Sequence, residues 1–256
     1  MKKVTLAALV VVHNEEAQLA DCLRSVAFVD ELVVVLDNCT DNSKQIAEQH
    51  QAKILEGHWP IEGERRMLGI DTCTSDWILE LDADERVSDA LALEIRERLP
   101  KATYGYFRIP FDNYVGAGLV KYGWGCSWGI NAKRCLFAKG AKHWGLQRVH
   151  PKITLKGDAQ TVEQSISHYA YKDISDMLSR FNTYTTKRAL DLCENPVKQS
   201  MRRNIKRIFS RFFKCYVQRK GYKEGYYGVL NGILAGLFPL ISYLKYLELK
   251  KVSKNT

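Results

Sequence analysis

Short apolar runs alternate with polar, helix-length stretches over the first hundred residues. Val4 to Val12, Leu32 to Leu36, Lys53 to Leu55 and Trp77 to Leu81 read as strands. Glu16 to Val26, Asn42 to Gln49, Gly63 to Ile70 and Ser88 to Leu99 carry the spacing and end signals of helices. The first two runs are apolar throughout rather than alternating, the pattern of strands covered on both faces of a parallel sheet. The class predicted is α/β, with a βαβ-type nucleotide-binding half. In open sheets of this kind the ligand crevice lies beyond the carboxyl ends of the strands. His13-Asn14-Glu15, Asp37-Asn38 and Asp82-Ala83-Asp84 each follow a strand, so they are expected to converge.

From Tyr104 to about Tyr171 the chain becomes aromatic-rich and glycine-punctuated, as antiparallel segments are, and carries Trp124, Trp128 and Trp144. Such tryptophans either fill a core or pack on a sugar. After Asp173 the pattern is helical to the end. Phe209, Phe212, Phe213 and Tyr216 recur at helical spacing and form an aromatic stripe among basic residues. Tyr226 to Leu247 is apolar but interrupted by Asn231 and Pro239. That pattern predicts an interfacial or hairpin-like membrane contact rather than a spanning helix, or else a helical pair docked on the catalytic domain. The expected organisation is a catalytic domain over 1–172, with halves 1–100 and 101–172, and a basic helical region over 173–256.

A hydrophobic share of 46% and an aromatic share of 11% in 256 residues are enough for a substantial core. The seven cysteines show no C-x-x-C or zinc-type spacing, which points to reduced thiols in a cytosolic compartment. Met1-Lys2-Lys3 and the apolar run after it superficially resemble a secretory signal. His13-Asn14-Glu15-Glu16 follows without a small-residue cleavage pattern, so a buried first strand is expected. The net charge of +9 is uneven: nine Lys and Arg lie between Arg202 and Lys223 with no acidic residue among them. Cations beside phenylalanines on one helix suit an anionic membrane surface. A nucleic-acid partner is not expected, because no recognisable nucleic-acid module accompanies the charge.

The chemistry centres on Asp82-Ala83-Asp84-Glu85. Side chains two apart at a strand end can point the same way and share one divalent cation. Carboxylates suit Mg²⁺ or Mn²⁺, which fill their other positions with water and phosphate oxygens. The same spacing also serves an acidic turn in which one aspartate caps the next helix.

In order and spacing, Val12-His13-Asn14-Glu15-Glu16, Asp37-Asn38-Cys39-Thr40-Asp41, Gly63-Glu64-Arg65-Arg66, and Asp76-Trp77-Ile78-Leu79 running into Asp82-Ala83-Asp84-Glu85 resemble the inverting family 2 glycosyltransferases of the GT-A fold. Within that family the chain is similar to the lipopolysaccharide core β-1,4-glucosyltransferase-like subgroup. The resemblance implies a GT-A domain with a Rossmann-like, mostly parallel sheet and a helical C-terminal extension. It also implies transfer of a hexose from a nucleotide sugar, a UDP-sugar, to a lipid-linked saccharide at the inner face of the cytoplasmic membrane. His13, Asn14, Glu15 and Asp37 would contact the nucleoside and Arg66 the diphosphate. Asp82 would face ribose and metal, and Asp84 would hold the metal.

Met67 stands where relatives often carry Asn. Relatives commonly place the acceptor's base in a His-Glu pair, whereas this chain has Val149-His150-Pro151. His150 is then the first candidate base, with Asp158 and Glu163 behind it and Asp112 and His168 as lesser ones; His50, His58 and His143 read as surface or core. A polyprenyl-phosphate sugar synthase, a catalytically inactive scaffold and, from a different class, a basic nucleic-acid-binding protein are the competing readings. A nucleotidyltransferase lacks support because no glycine-rich phosphate loop follows the first strand.

Overall fold

The computed structural model describes residues 3–124, 132–146, 151–194 and 199–255. In chain order its elements are β1 (Leu6–Val12), α1 (Glu16–Ser25), β2 (Glu31–Asp37), α2 (Ser43–Gln49), β3 (Lys53–Gly57), α3 (Glu62–Thr72), β4 (Trp77–Asp82), β5 (Glu85–Val87) and α4 (Asp89–Arg98). Then follow β6 (Gly105–Val115), β7 (Gly118–Val120), β8 (Ala132–Ala138), β9 (Lys142–Trp144), β10 (Ile153–Leu155), β11 (Asp158–Thr161) and β12 (Ile166–Tyr171). Three helices complete the chain: α5 (Ile174–Glu194), α6 (Met201–Phe213) and α7 (Gly225–Asn255). Two compact units result, Met1–Asp112 with Asn131–His168, and Asn113–Ile130 with Tyr169–Thr256.

In the first unit the sheet runs β3-β2-β1-β4-β8-β6-β12-β5, with β11 alongside β6. β3, β2, β1 and β4 are parallel, and β8 returns antiparallel to β4. This is the GT-A arrangement, a mixed sheet whose first half is parallel. All seven residues of β1 are buried, as its unbroken apolar run predicts. Val12 pairs with Leu36 and Val11 with Asp82, so the carboxyl ends of β1, β2 and β4 share one edge.

β5 is a short strand that hydrophobic pattern alone does not reveal. The Asp82 amide donates to the Glu85 carboxylate at 3.1 Å, folding the chain back on itself. β5 then pairs antiparallel with β12, which sets His168 opposite Glu85. Ser88 starts the next helix by accepting from the Leu91 amide at 3.2 Å, so neither aspartate of the motif is the cap of α4.

In the second unit α6 packs along α7 in the opposite direction. A Cβ added to Gly232 would come within 2.9 Å of the Phe212 ring, and one on Gly236 within 2.7 Å of the Ile208 carbonyl oxygen. The helices close at these two positions only because side chains are missing there, and a Cβ on Gly228 would likewise fall 1.8 Å from the carbonyl oxygen of Gly221, in the turn that precedes α7. The hairpin-like break expected near Asn231 and Pro239 does not occur: α7 is a single helix with Pro239 inside it and Asn231 buried. Among the described residues it is the one helix long and apolar enough, by length and composition, to cross a membrane. Lys245 ties it to α5, its ammonium donating to the Asn182 carbonyl and side-chain oxygens and to the Thr185 and Thr186 hydroxyls at 2.7–2.9 Å.

The aromatic stripe of α6 divides. Phe212 and Tyr216 turn inward and stack on each other at 5.3 Å. Phe209 and Phe213 point out and are 73% and 51% exposed, continuing a row with Met201 and Ile205 at every fourth position.

Candidate active site

At the shared edge, the loops after β1 and β2 are laced together. The His13 Nδ1–H donates to the Asp37 carbonyl at 2.6 Å, and Asn14 Oδ1 accepts from the Thr40 amide at 2.7 Å. Asn14 and Asn38 adopt left-handed conformations (φ 53° and 51°), which asparagine tolerates better than most residues. Glu16 accepts from the Asn42 backbone and side chain at 3.0 and 2.9 Å. The Glu15 amide donates to Ser43 Oγ at 3.2 Å. Asp37 is buried; its carboxylate accepts from the Trp59 amide at 3.0 Å and from Arg65. These contacts fix a rigid wall of backbone and carboxylate at the end of β2.

The end of β4 is a dense charge cluster. Arg66, on the inner face of α3, is buried and donates to Glu62 at 2.9 Å, Glu80 at 2.8 Å and Asp82 at 2.9 Å. Lys133, on β8, donates to Asp82 at 2.9 Å and to Glu85. Lys142, on β9, donates to Glu80 at 2.5 Å. The Trp144 ring covers two of these cations, with the Arg66 guanidinium 4.7 Å and the Lys142 ammonium 4.9 Å from its centroid.

Burial works against every charge in the cluster, and its neighbours decide the outcome. For Asp82 burial raises the carboxyl, but Lys133 and Arg66 outweigh it and hold the group well below the usual carboxylate range. Glu80 is likewise brought down to about 2 by Lys142 and Arg66 against the opposing pull of burial. For Glu85 burial wins, pushing the group up to about 8 despite Lys133.

Asp84 stands apart from this lattice. Its Oδ1 is buried with no hydrogen-bond partner among the described residues, and its Oδ2 lies 3.4 Å from His168 Nε2. A buried carboxylate oxygen left without a donor suits a cation. No group of three or more His, Cys, Asp and Glu gathers among the described residues as a full cage. An ion that keeps waters and phosphate oxygens needs no such cage.

Residues 7–111 match the family model described as glycosyl transferase family 2. The chain carries a glycosyltransferase family 2 domain. It is 26% identical over 221 residues to an uncharacterized glycosyltransferase of Rickettsia felis, covering 78% of this chain and 74% of that one. It is 24% identical over 205 residues to the lipopolysaccharide core biosynthesis glycosyltransferase LpsC of Rhizobium meliloti, covering 73% of this chain and 71% of that one. Among solved structures, S. aureus TarS 1-349 aligns over 96% of this chain and 88% of that one, at 12% identity and a TM-score of 0.49. Family domain and relatives make this enzyme a glycosyltransferase.

Of the site residues the sequence of this glycosyltransferase suggests, His13, Asn14, Glu15, Asp37, Arg66, Asp82 and Asp84 all stand at the carboxyl edge of β1, β2 and β4 or on the helix packed beside it. Asp158 does not join them. It pairs with Gly105 at the start of β6 and accepts from the Thr103 hydroxyl at 3.0 Å. That end of β6 lies by Phe137, which faces Ile78 near the start of β4. Glu163 is also away from the cluster, its amide bound to Glu94. Asp112 accepts from the Ser165 hydroxyl at 2.5 Å. His150 lies outside the described residues. Sequence reasoning does not find Glu80, Lys133 and Lys142 in the cluster. The signal for Glu80 is a lone carboxylate inside an apolar strand, which requires a buried cation.

Proposed function

We propose that this glycosyltransferase moves a hexose, glucose, from a UDP-sugar to a lipid-linked saccharide of the lipopolysaccharide core type, with inversion by direct displacement. The observation that carries the proposal is the buried Oδ1 of Asp84, without a hydrogen-bond partner among the described residues, on a carboxylate whose other oxygen lies 3.4 Å from His168 and which stands two residues beyond the clamped Asp82.

In this mechanism the wall at the β2 end receives the nucleoside, and Asp37, held by Trp59 and Arg65, accepts a hydrogen bond from the base. His13, Asn14 and Glu15 line the same wall. Arg66 and Asp82 orient the diphosphate and ribose. Asp84 and His168 would hold Mg²⁺ or Mn²⁺, whose chemistry is to offset the charge that grows on the departing nucleoside diphosphate. His150, which the resemblance and its residue type nominate, takes the proton of the acceptor hydroxyl, since a histidine side chain ordinarily titrates near neutrality.

The acceptor is membrane-borne, so the enzyme works at the inner face of the cytoplasmic membrane as a peripheral protein. Support comes from the outward row Met201, Ile205, Phe209 and Phe213, flanked by Arg202, Arg203, Lys206 and Arg207. An apolar row edged by cations binds an anionic bilayer surface.

The test is calorimetric titration with UDP and a panel of UDP-sugars, with Mn²⁺ and with chelator, on wild type and Asp84→Ala. Metal-dependent binding that the variant loses is expected, with UDP-glucose preferred. Metal-independent binding equal in both proteins would overturn the site. Transfer to polyprenyl phosphate without any saccharide acceptor would replace the acceptor proposed here.

A further inference from the structure

Asp82 and Asp84 are two residues apart and meet opposite surroundings. Both oxygens of Asp82 are engaged by cations, Oδ1 by Arg66 Nη2 and Oδ2 by Lys133 Nζ, each at 2.9 Å. Asp84 has one oxygen with no partner among the described residues and the other beside His168. A divalent ion approaching Asp82 therefore meets two positive groups already in place, whereas Asp84 presents an open lone pair.

Lys133 is fixed in that role from several sides. It sits in β8, whose partner β6 carries Phe111, and the ammonium lies 5.8 Å from the Phe111 ring centroid. The same ammonium reaches Glu85, whose carboxylate in turn receives the Asp82 amide. Lys133 thus grips both ends of the Asp82–Glu85 turn. Arg66 is shared among three carboxylates, so Lys133 is the contact whose loss would release an oxygen of Asp82.

We propose that Lys133 is a positioning residue that withholds Asp82 from the metal, so that Asp82 is left to the nucleotide and the ion stays with Asp84, the aspartate to which the family resemblance already assigns it, and with His168. The division rests on the function proposed above. Lys133 does this by occupying the oxygen that a shared cation would need, so the ion is confined to one carboxylate and depends on the nucleotide's phosphates for its remaining ligands.

The experiment is Mn²⁺ binding followed by electron paramagnetic resonance, without and with UDP. The proteins are wild type, Lys133→Met, Lys133→Arg, Asp82→Asn, Asp84→Asn and the Asp82→Asn/Lys133→Met double variant. Without UDP, Lys133→Met should bind Mn²⁺ about tenfold more tightly than wild type, because a like charge is gone and an oxygen is freed. Lys133→Arg should match wild type. Asp82→Asn should stay within about threefold of wild type, while Asp84→Asn loses binding. In the Asp82→Asn background the effect of Lys133→Met should vanish, since the two act as a pair.

An equal effect of Lys133→Met in both backgrounds would reduce Lys133 to a distant charge and overturn the proposal. So would an Asp82→Asn loss as complete as that of Asp84→Asn. Lys133→Gln repeats the arm should Lys133→Met fail to fold, and the Asp82 and Asp84 comparison stands without either. A wild type that binds neither UDP nor Mn²⁺ would bring down the transferase site and this division together. Normal UDP and Mn²⁺ binding with no change in Lys133→Met would bring down the division alone.

Discussion

Lys142 Nζ lies 2.5 Å from Glu80 Oε2, and both side chains are shut off from solvent. The pair sits inside β4 and β9, with Arg66 on the other oxygen of Glu80 and the Trp144 indole N–H donating at 3.4 Å. Removing one partner of a buried pair strands the other's charge. Lys142→Met is expected to cost about 3 kcal/mol, the low end for such a break because Arg66 remains. Urea unfolding of wild type and variant checks this. Glu80→Leu combined with Lys142→Met should recover part of the loss, since a well-packed apolar pair can replace a buried ionic one.

Glu80 also makes stability depend on pH. Its carboxyl falls from an ordinary value of 4.5 to about 2 in the folded chain. A depressed acid contributes stability that is complete above the unfolded value and is lost as pH falls through the folded one. The melting temperature of wild type should therefore decline between pH 4.5 and about 2 more steeply than that of Glu80→Gln, which has no such proton to take up. Parallel curves for the two proteins over that window would show that Glu80 does not titrate with folding.

Asp84 separates stability from function in the opposite sense. Its Oδ1 is desolvated and has no hydrogen-bond partner among the described residues, so Asp84→Asn should melt no lower than wild type in chelator. Calorimetry with UDP and Mn²⁺ on the same sample should give no metal-dependent heat. A melting temperature lowered by several degrees would mean the carboxylate is structural instead.

The outward row of α6 predicts a surface phenotype. Phe209→Asp with Phe213→Asp should abolish sedimentation with anionic vesicles and leave UDP binding unchanged, because both side chains are exposed. Each buried aromatic is worth about 2 kcal/mol, so the pair accounts for roughly a thousandfold in partitioning. Sedimentation of wild type should fall with salt, as the flanking cations require.

The parallel half of the fold was legible because its central strands are short, buried on both faces and therefore apolar, without a break in Leu6–Val12 and with Glu80 as the one interruption before Asp82 in Trp77–Asp82. The positions of His13, Asp37 and Asp82 followed from the same rule, since each ends such a strand. The charge cluster was not legible. Glu80, Lys133 and Lys142 are ordinary residues in sequence and become a unit only when β8 and β9 return beside β4 and α3. The stripe of α6 was visible, but its split into Phe212 inside and Phe209 outside depends on Gly232, twenty residues later. The unbroken course of α7 was missed because Asn231 and Pro239 weigh heavily in a local count, while packing along α5 and α6 holds the helix together.

Because the Asp82 amide is tied to the Glu85 carboxylate, the acidic turn after β4 is physically four residues long rather than three. Glu85 works as a latch. It closes the loop that spaces the two aspartates, engages Lys133 and leads β5 into register with His168. A chain keeping both aspartates but carrying an apolar residue at the fourth position would retain the letters of the motif and lose its geometry. A search for enzymes built this way should therefore weigh the fourth letter and its distant lysine as one feature.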